Sequence, residues 1–127
     1  MKWRPTTKLE SVLKLLRPRF TVPGELIVRK GEPGVSMFFI ASGTVEVALP
    51  DSSIPLKKGD VFGEMALLTG EPRQADVRAL TFCRLLVLRK ADFDRFMREN
   101  RVVRLKIHQI AQTRASVNRP DAAEATF

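Results

Sequence analysis

From Phe20 to Leu88 the chain is broken by turn signals at short intervals. They fall at Pro23-Gly24, Gly31-Glu32-Pro33-Gly34, Ser42-Gly43, Pro50 to Ser53, Lys58-Gly59-Asp60 and Gly70-Glu71-Pro72. Short β-rich runs lie between them: Glu25 to Val28, Met37 to Ala41, Thr44 to Leu49 and Phe82 to Leu88. In one of these, Val45, Val47 and Leu49 alternate with Thr44, Glu46 and Ala48, which marks a strand with one face buried. Short strands at this spacing predict a sandwich or barrel, and a jelly roll in particular.

The period is helical on both flanks. Leu9, Val12, Leu13 and Leu16 recur at spacings of three and four, Thr7 and Glu10 fit a capping box, and Pro18 is a stop. This predicts an N-terminal helical segment within residues 1–19 and a β-roll over 20–89. Beyond Arg89, Phe93, Phe96 and Met97 make one apolar patch on a helix with Asp92 and Asp94 in its first turn. Asn100 interrupts it. A second helix is expected from Arg101 to Ser116, with Val103, Ile107, Ile110 and Arg114 on one stripe. The two helices occupy 90–116, and the aperiodic tail 117–127 is expected to be mobile.

Bulk properties narrow the function. A chain of 127 residues, 44% of them hydrophobic, suits a single core. No apolar run approaches the roughly 20 residues of a spanning helix, and the N-terminus lacks the apolar stretch of a secretion signal. Cys83 has no cysteine to pair with, fits a reducing compartment and reads as a small core residue. One His and one Cys cannot build a structural zinc site, so no metal is expected. The net charge of +8 supports salt-sensitive contact with polyanions. Specific nucleic-acid binding is not expected, because too few residues follow position 115 for a helix-turn-helix. The basic surface faces anionic lipid, a partner or solvent.

The chemistry concentrates in Phe62-Gly63-Glu64-Met65-Ala66-Leu67-Leu68 and in Arg73-Gln74-Ala75. A short helix starting here presents free amides from Met65 and Ala66, and Arg73 adds a planar cation suited to two phosphate oxygens. Gly63 allows backbone to approach a ligand closely. The Glu64 carboxylate repels a phosphate but accepts from a sugar hydroxyl, so phosphate and ribose together mean a nucleotide. No P-loop is present, which argues against ATP hydrolysis. No acid–base pair or activated nucleophile stands near, and His108 belongs to a different helix, so the chain is expected not to be an enzyme.

This passage resembles the phosphate-binding cassette, here residues 62–75, of the cyclic nucleotide-binding domain family, with the pattern F-G-E-[LM]-A-L-L/I followed by P-R-[ST]-A. Gln74 departs from the family's usual Ser, Thr or Ala. Val28-Arg29-Lys30-Gly31-Glu32-Pro33-Gly34 is similar to the family's I-x-x-G-E-x-[GA] loop, and Ser42 to Val47 to its hairpin. Gly31, Gly43 and Gly59 read as structural turn glycines. The resemblance spans roughly residues 8 to 115. It implies an eight-stranded jelly roll, mainly β, with one N-terminal and two C-terminal helices.

It also implies that Glu64 accepts from the ribose 2′-OH, that Arg73 holds the cyclic phosphate, and that the Gln74 backbone amide donates to it. Val61 and Ala75, with Val45, are read as apolar wall or as core. Without the hydroxyl that a Thr would bring beside Arg73, the cradle favours cyclic AMP over cyclic GMP as its ligand. The last helix of the family closes as a lid, where Arg114 either reaches the purine or serves the helix dipole in solvent.

The expected role is a sensor on the cytoplasmic face of the inner membrane. It would be covalently linked to a transmembrane channel or transporter, the domain itself monomeric and its parent oligomeric. The cassette spacing looks like that of bacterial cyclic-nucleotide-regulated potassium channels, with cation–proton antiporters as a rival. The remaining alternative is an interaction module of the same fold that binds no nucleotide.

Overall fold

The computed structural model describes residues 14–102, 104, 105, 108 and 109. Eight strands form two four-stranded antiparallel sheets. They are β1 (Arg17–Thr21), β2 (Leu26–Val28), β3 (Ser36–Ser42), β4 (Thr44–Ala48), β5 (Ser53–Lys57), β6 (Val61–Phe62), β7 (Asp76–Ala79) and β8 (Cys83–Arg89). The first sheet runs β1-β8-β3-β6 and the second β2-β7-β4-β5. Helix α1 (Glu64–Thr69) lies between β6 and β7, and α2 (Lys90–Glu99) follows β8.

The sheets close on a core of Val28, Phe38, Ile40, Val45, Val47, Phe62, Val77, Ala79 and Leu85, among others. Phe38 and Phe62 are directly paired across β3 and β6 and stack with ring centroids 4.7 Å apart. Such a contact adds roughly 0.5–1.5 kcal/mol beyond area burial. A second cluster covers the outer face of the first sheet. There Met37, Val61 and Leu88 meet Leu67 of α1 and Phe93, Phe96 and Met97 of α2. Two buried faces explain why Met37-Phe38-Phe39-Ile40 is a continuous apolar run, whereas β4, with one face toward water, alternates. Phe39 meets Phe96 at 5.8 Å, which fixes α2 to β3.

The strand boundaries refine the sequence reading. β1 starts at Arg17, so the helix-to-strand boundary expected at 19 falls inside a strand. Pro18 is accommodated there because β1 is an edge and a missing N–H costs no ladder bond on the open side. Lys14 and Leu15 lie in a turn rather than a helix, and the rest of the expected N-terminal helix lies outside the described residues. β5, β6 and β7 were not resolved from the pattern. In α2 the apolar patch is buried as expected, Asp92 occupies the first turn with Asp94 just beyond it, and Asn100 ends the helix. Past Asn100 the described residues are helical, while Val103, Ile107, Ile110, Arg114 and the tail 117–127 lie outside them. Among the described residues no helix is long and apolar enough to cross a membrane.

The other three edges are also protected. β5 carries Pro55 beside Lys57, and β2 and β6 have three and two residues. Cys83 is buried, and its thiol donates to the carbonyls of Thr44 and Thr81 at 3.3 Å.

Thr21, paired with Cys83, is 2% exposed, and its hydroxyl has no hydrogen-bond partner among the described residues. A buried hydroxyl left unpaired costs about 1–3 kcal/mol. Thr21→Val keeps the shape and removes that penalty. It is expected to raise stability by about 1 kcal/mol with an unchanged denaturant slope, read by urea unfolding.

Candidate functional site

The site is built where β6 turns into α1. Val61 and Phe62 end in Gly63, which takes the left-handed conformation (φ 86°, ψ 0°) and precedes the helix without a side-chain cap. A Cβ on Gly63 would stand 2.7 Å from the Arg73 guanidinium and 3.2 Å from the Ser36 carbonyl, so both backbone angle and space demand glycine. Glu64 opens the helix fully buried, followed by half-buried Met65 and buried Ala66. The amides of this first turn have no acceptor within the helix. Gly70, again left-handed, donates back to the Ala66 carbonyl and turns the chain toward Pro72 and Arg73.

Arg73 is 9% exposed. Its Nη1 donates to the Gly63 carbonyl at 3.1 Å and its Nη2 to the Ser36 carbonyl at 2.7 Å, and its Cζ lies 5.9 Å from the Phe38 ring centroid. Among the described residues these bonds use two of the five N–H donors of a guanidinium, leaving three. Burial lowers the pKa of Arg73, while the Glu64 and then the Glu32 carboxylate act to raise it. The ordinary arginine value is so high that the group stays charged at neutral pH. Glu64 and Arg73 thus form a buried, opposite pair of charges, an arrangement whose desolvation makes it a poor device for stability alone.

The loop after β2 holds Arg73 in place. The Arg73 amide donates to the Glu32 carbonyl at 2.8 Å, and the Gly31 amide to the Arg73 carbonyl at 2.9 Å. The Lys30 amide donates to the carboxylate of Asp76, the first residue of β7, at 2.7 Å. Gly34 sits against the Ala66 methyl and within 3.3 Å, measured from an added Cβ, of Arg73 Cζ and Nε. Ser36 and Gly34 therefore shape the site as directly as the cassette. Sequence reasoning took this loop for a turn, although a second glycine three residues after Gly31 hinted at close packing.

Gly63, Glu64, Ala66 and Arg73 are thus brought together. The Gln74 side chain is exposed, and its amide points back to the Pro72 carbonyl at 3.5 Å. Ala75 and Val45 belong to the core between the sheets, and Val61 to the cluster under α2. Arg114 lies outside the described residues.

The contact between Gly34 and Ala66 can be tested. Gly34→Ala is expected to destabilise by roughly 1–3 kcal/mol through overpacking. A double-mutant cycle with Ala66→Gly should return a favourable coupling of at least about 0.5 kcal/mol, measured by denaturant unfolding.

Comparisons with known proteins bear on the family and the fold. The family description "Cyclic nucleotide-binding domain" matches residues 18–100. A cyclic nucleotide-gated potassium channel of Rhizobium etli is 49% identical over 85 residues, 67% of this chain and 24% of that protein. The human potassium/sodium hyperpolarization-activated cyclic nucleotide-gated channel 4 is 37% identical over 105 residues, 82% of this chain and 9% of that protein. The chain thus spans about a quarter or less of the length of these relatives. Among solved structures, cAMP-bound PfPKA-R superposes with a TM-score of 0.70 at 27% identity, covering 82% of this chain and 36% of the other. The catabolite activator protein of Thermus thermophilus gives 0.67 at 27%, covering 86% and 53%. With its roll, its left-handed glycine before α1 and its buried arginine, this chain belongs to the cyclic nucleotide-binding domain family.

Proposed function

We propose that the domain is a non-catalytic sensor that binds cyclic AMP in preference to cyclic GMP. The observation that carries this reading is the buried Arg73 guanidinium, with three donors left over, beside the buried Glu64 carboxylate and the first turn of α1. A cyclic phosphate has one negative charge on two exocyclic oxygens, which a guanidinium fork and nearby amides can share. Glu64 is chemically suited to the ribose hydroxyl, and the exposed side chain of Gln74 leaves its backbone amide as the local donor. Gln74 has no hydroxyl to offer the guanine amino group, and its side-chain amide is turned to the Pro72 carbonyl.

Coupling to the rest of a larger protein runs through β3. The Ser36 carbonyl accepts from Arg73, and the adjacent Val35 carbonyl accepts from the Lys90 amide at 2.8 Å, the first residue of α2. Leu67 of α1 packs in the same cluster as Phe93 and Phe96. A ligand that recruits Arg73 and α1 therefore biases the seat of α2, by as much as its affinity differs between the two arrangements. The relatives support a potassium-channel parent over an antiporter. The same reading sets this domain on the cytoplasmic face of the membrane and makes it monomeric when isolated.

Titration calorimetry of the folded domain tests the reading. Saturable heat with cyclic AMP, and a weaker response to cyclic GMP, are expected. Arg73→Lys keeps the charge but loses the fork, and it is expected to weaken binding at least ~30-fold, with Glu64→Gln also weakening it. Silence with both nucleotides from a domain that melts cooperatively would establish the interaction module instead.

A further inference from the structure

The end of the roll away from the nucleotide site carries a feature that sensing does not use. β3 runs from Ser36, beneath Arg73, to Ser42 at the opposite end, a distance of about 20 Å. At that far end two turns are tied into one rim. The Gly24 amide donates to the Ala79 carbonyl at 2.7 Å and the Ala79 amide to the Glu25 carbonyl at 2.9 Å. The Leu80 amide donates to the Thr44 carbonyl at 2.9 Å, which brings in the turn between β3 and β4.

On this rim the apolar side chains point outward. Phe20 is 72% exposed, Val22 54%, Leu80 45% and Phe82 73%. Strand register explains it: Thr21 and Cys83 pair with their side chains inward, so Phe20, Phe82 and Arg84 must face out, and continuing the ladder sets Val22 beside Phe82. Arginines surround them. Arg84 pairs with Phe20 across the strands, Arg78 donates to the Gly24 carbonyl at 3.1 Å, and Arg19 pairs with Glu25 at 3.1 Å. Glu46 pairs with Arg78 across β4 and β7, so Arg19 and Arg78 each stand against a carboxylate and Arg84 supplies the surplus positive charge of the rim.

We propose that this rim docks on an anionic lipid surface, with Phe20 and Phe82 inserted at the headgroup level and the arginines against lipid phosphates and carboxylates. Aromatic side chains beside cations, Phe20 near the end of β1 and Phe82 just before β8, are what an anionic interface accepts, since apolar burial and charge attraction add. A second copy of the chain is a poor occupant, because a twofold contact through this rim sets its arginines against each other. The inference does not depend on nucleotide binding.

Co-sedimentation with phosphatidylcholine vesicles, with and without phosphatidylserine, tests it. Binding to the phosphatidylserine vesicles alone is expected. The double variant Phe20→Ser, Phe82→Ser should lower the partition coefficient by roughly tenfold or more, and Arg84→Gln by about fivefold. Phe82→Trp supplies a second readout: the introduced indole should shift to the blue and be quenched by brominated lipid. No binding, binding unchanged in the double serine variant, or an indole that stays water-exposed on bound protein each overturns the proposal. So does concentration-dependent dimerisation removed by the serine variants, or poly-glutamate displacing the protein from vesicles through those same phenylalanines.

Discussion

A guanidinium held between two backbone carbonyls organises this domain. Arg73 reaches Gly63, where β6 becomes α1, and Ser36, where β3 begins, and so joins three pieces of chain far apart in sequence. Each neighbouring feature makes room for that reach. Gly63 leaves room beside Nη1 that a Cβ would take, Gly34 lets Ala66 and the guanidinium close together, and the Gly31 amide on the Arg73 carbonyl, with the Arg73 amide on the Glu32 carbonyl, fixes the backbone from which the side chain extends. The desolvation of a cation here is offset by Glu64, by the two carbonyls and by the Phe38 ring. The core supports the arrangement directly, since Phe38 lies under Arg73 and stacks on Phe62, one residue before Gly63.

Much of this could be read from residues. The cassette revealed itself because glycine, carboxylate and arginine each have a chemical reason to be there. Four strands emerged from their β-rich composition and the turns around them. β6 escaped because two residues cannot display a period. β5 is split by Pro55, which weakens a strand signal until the strand is seen to be an edge. β1 was masked by an arginine and a proline that look like a helix stop, and are instead an edge strand. What sequence could not supply was the third dimension of the site. Ser36 and Gly34 matter through backbone position, and nothing in a serine or a turn glycine announces which carbonyl an arginine 37 residues away will choose.

Val35 and Ser36 make the domain more than a container. Their consecutive carbonyls face two clients, the amide that starts α2 and the buried Arg73 side chain. Successive carbonyls along extended chain point to opposite sides, so the short stretch that enters β3 can serve both without a long chain of intermediates. Packing reinforces the link, because Leu67 of α1 and the phenylalanines of α2 lie in one cluster on the same sheet face.

The guarded borders of both sheets have a consequence for assembly. Prolines in β1 and β5, with basic neighbours, and the brevity of β2 and β6 leave no long row of unpaired peptide groups among the described strands for another chain to zip onto. Several such domains can then crowd around a common axis and remain separate rolls. A contact between such rolls would be made by helices and surface side chains rather than by a shared ladder.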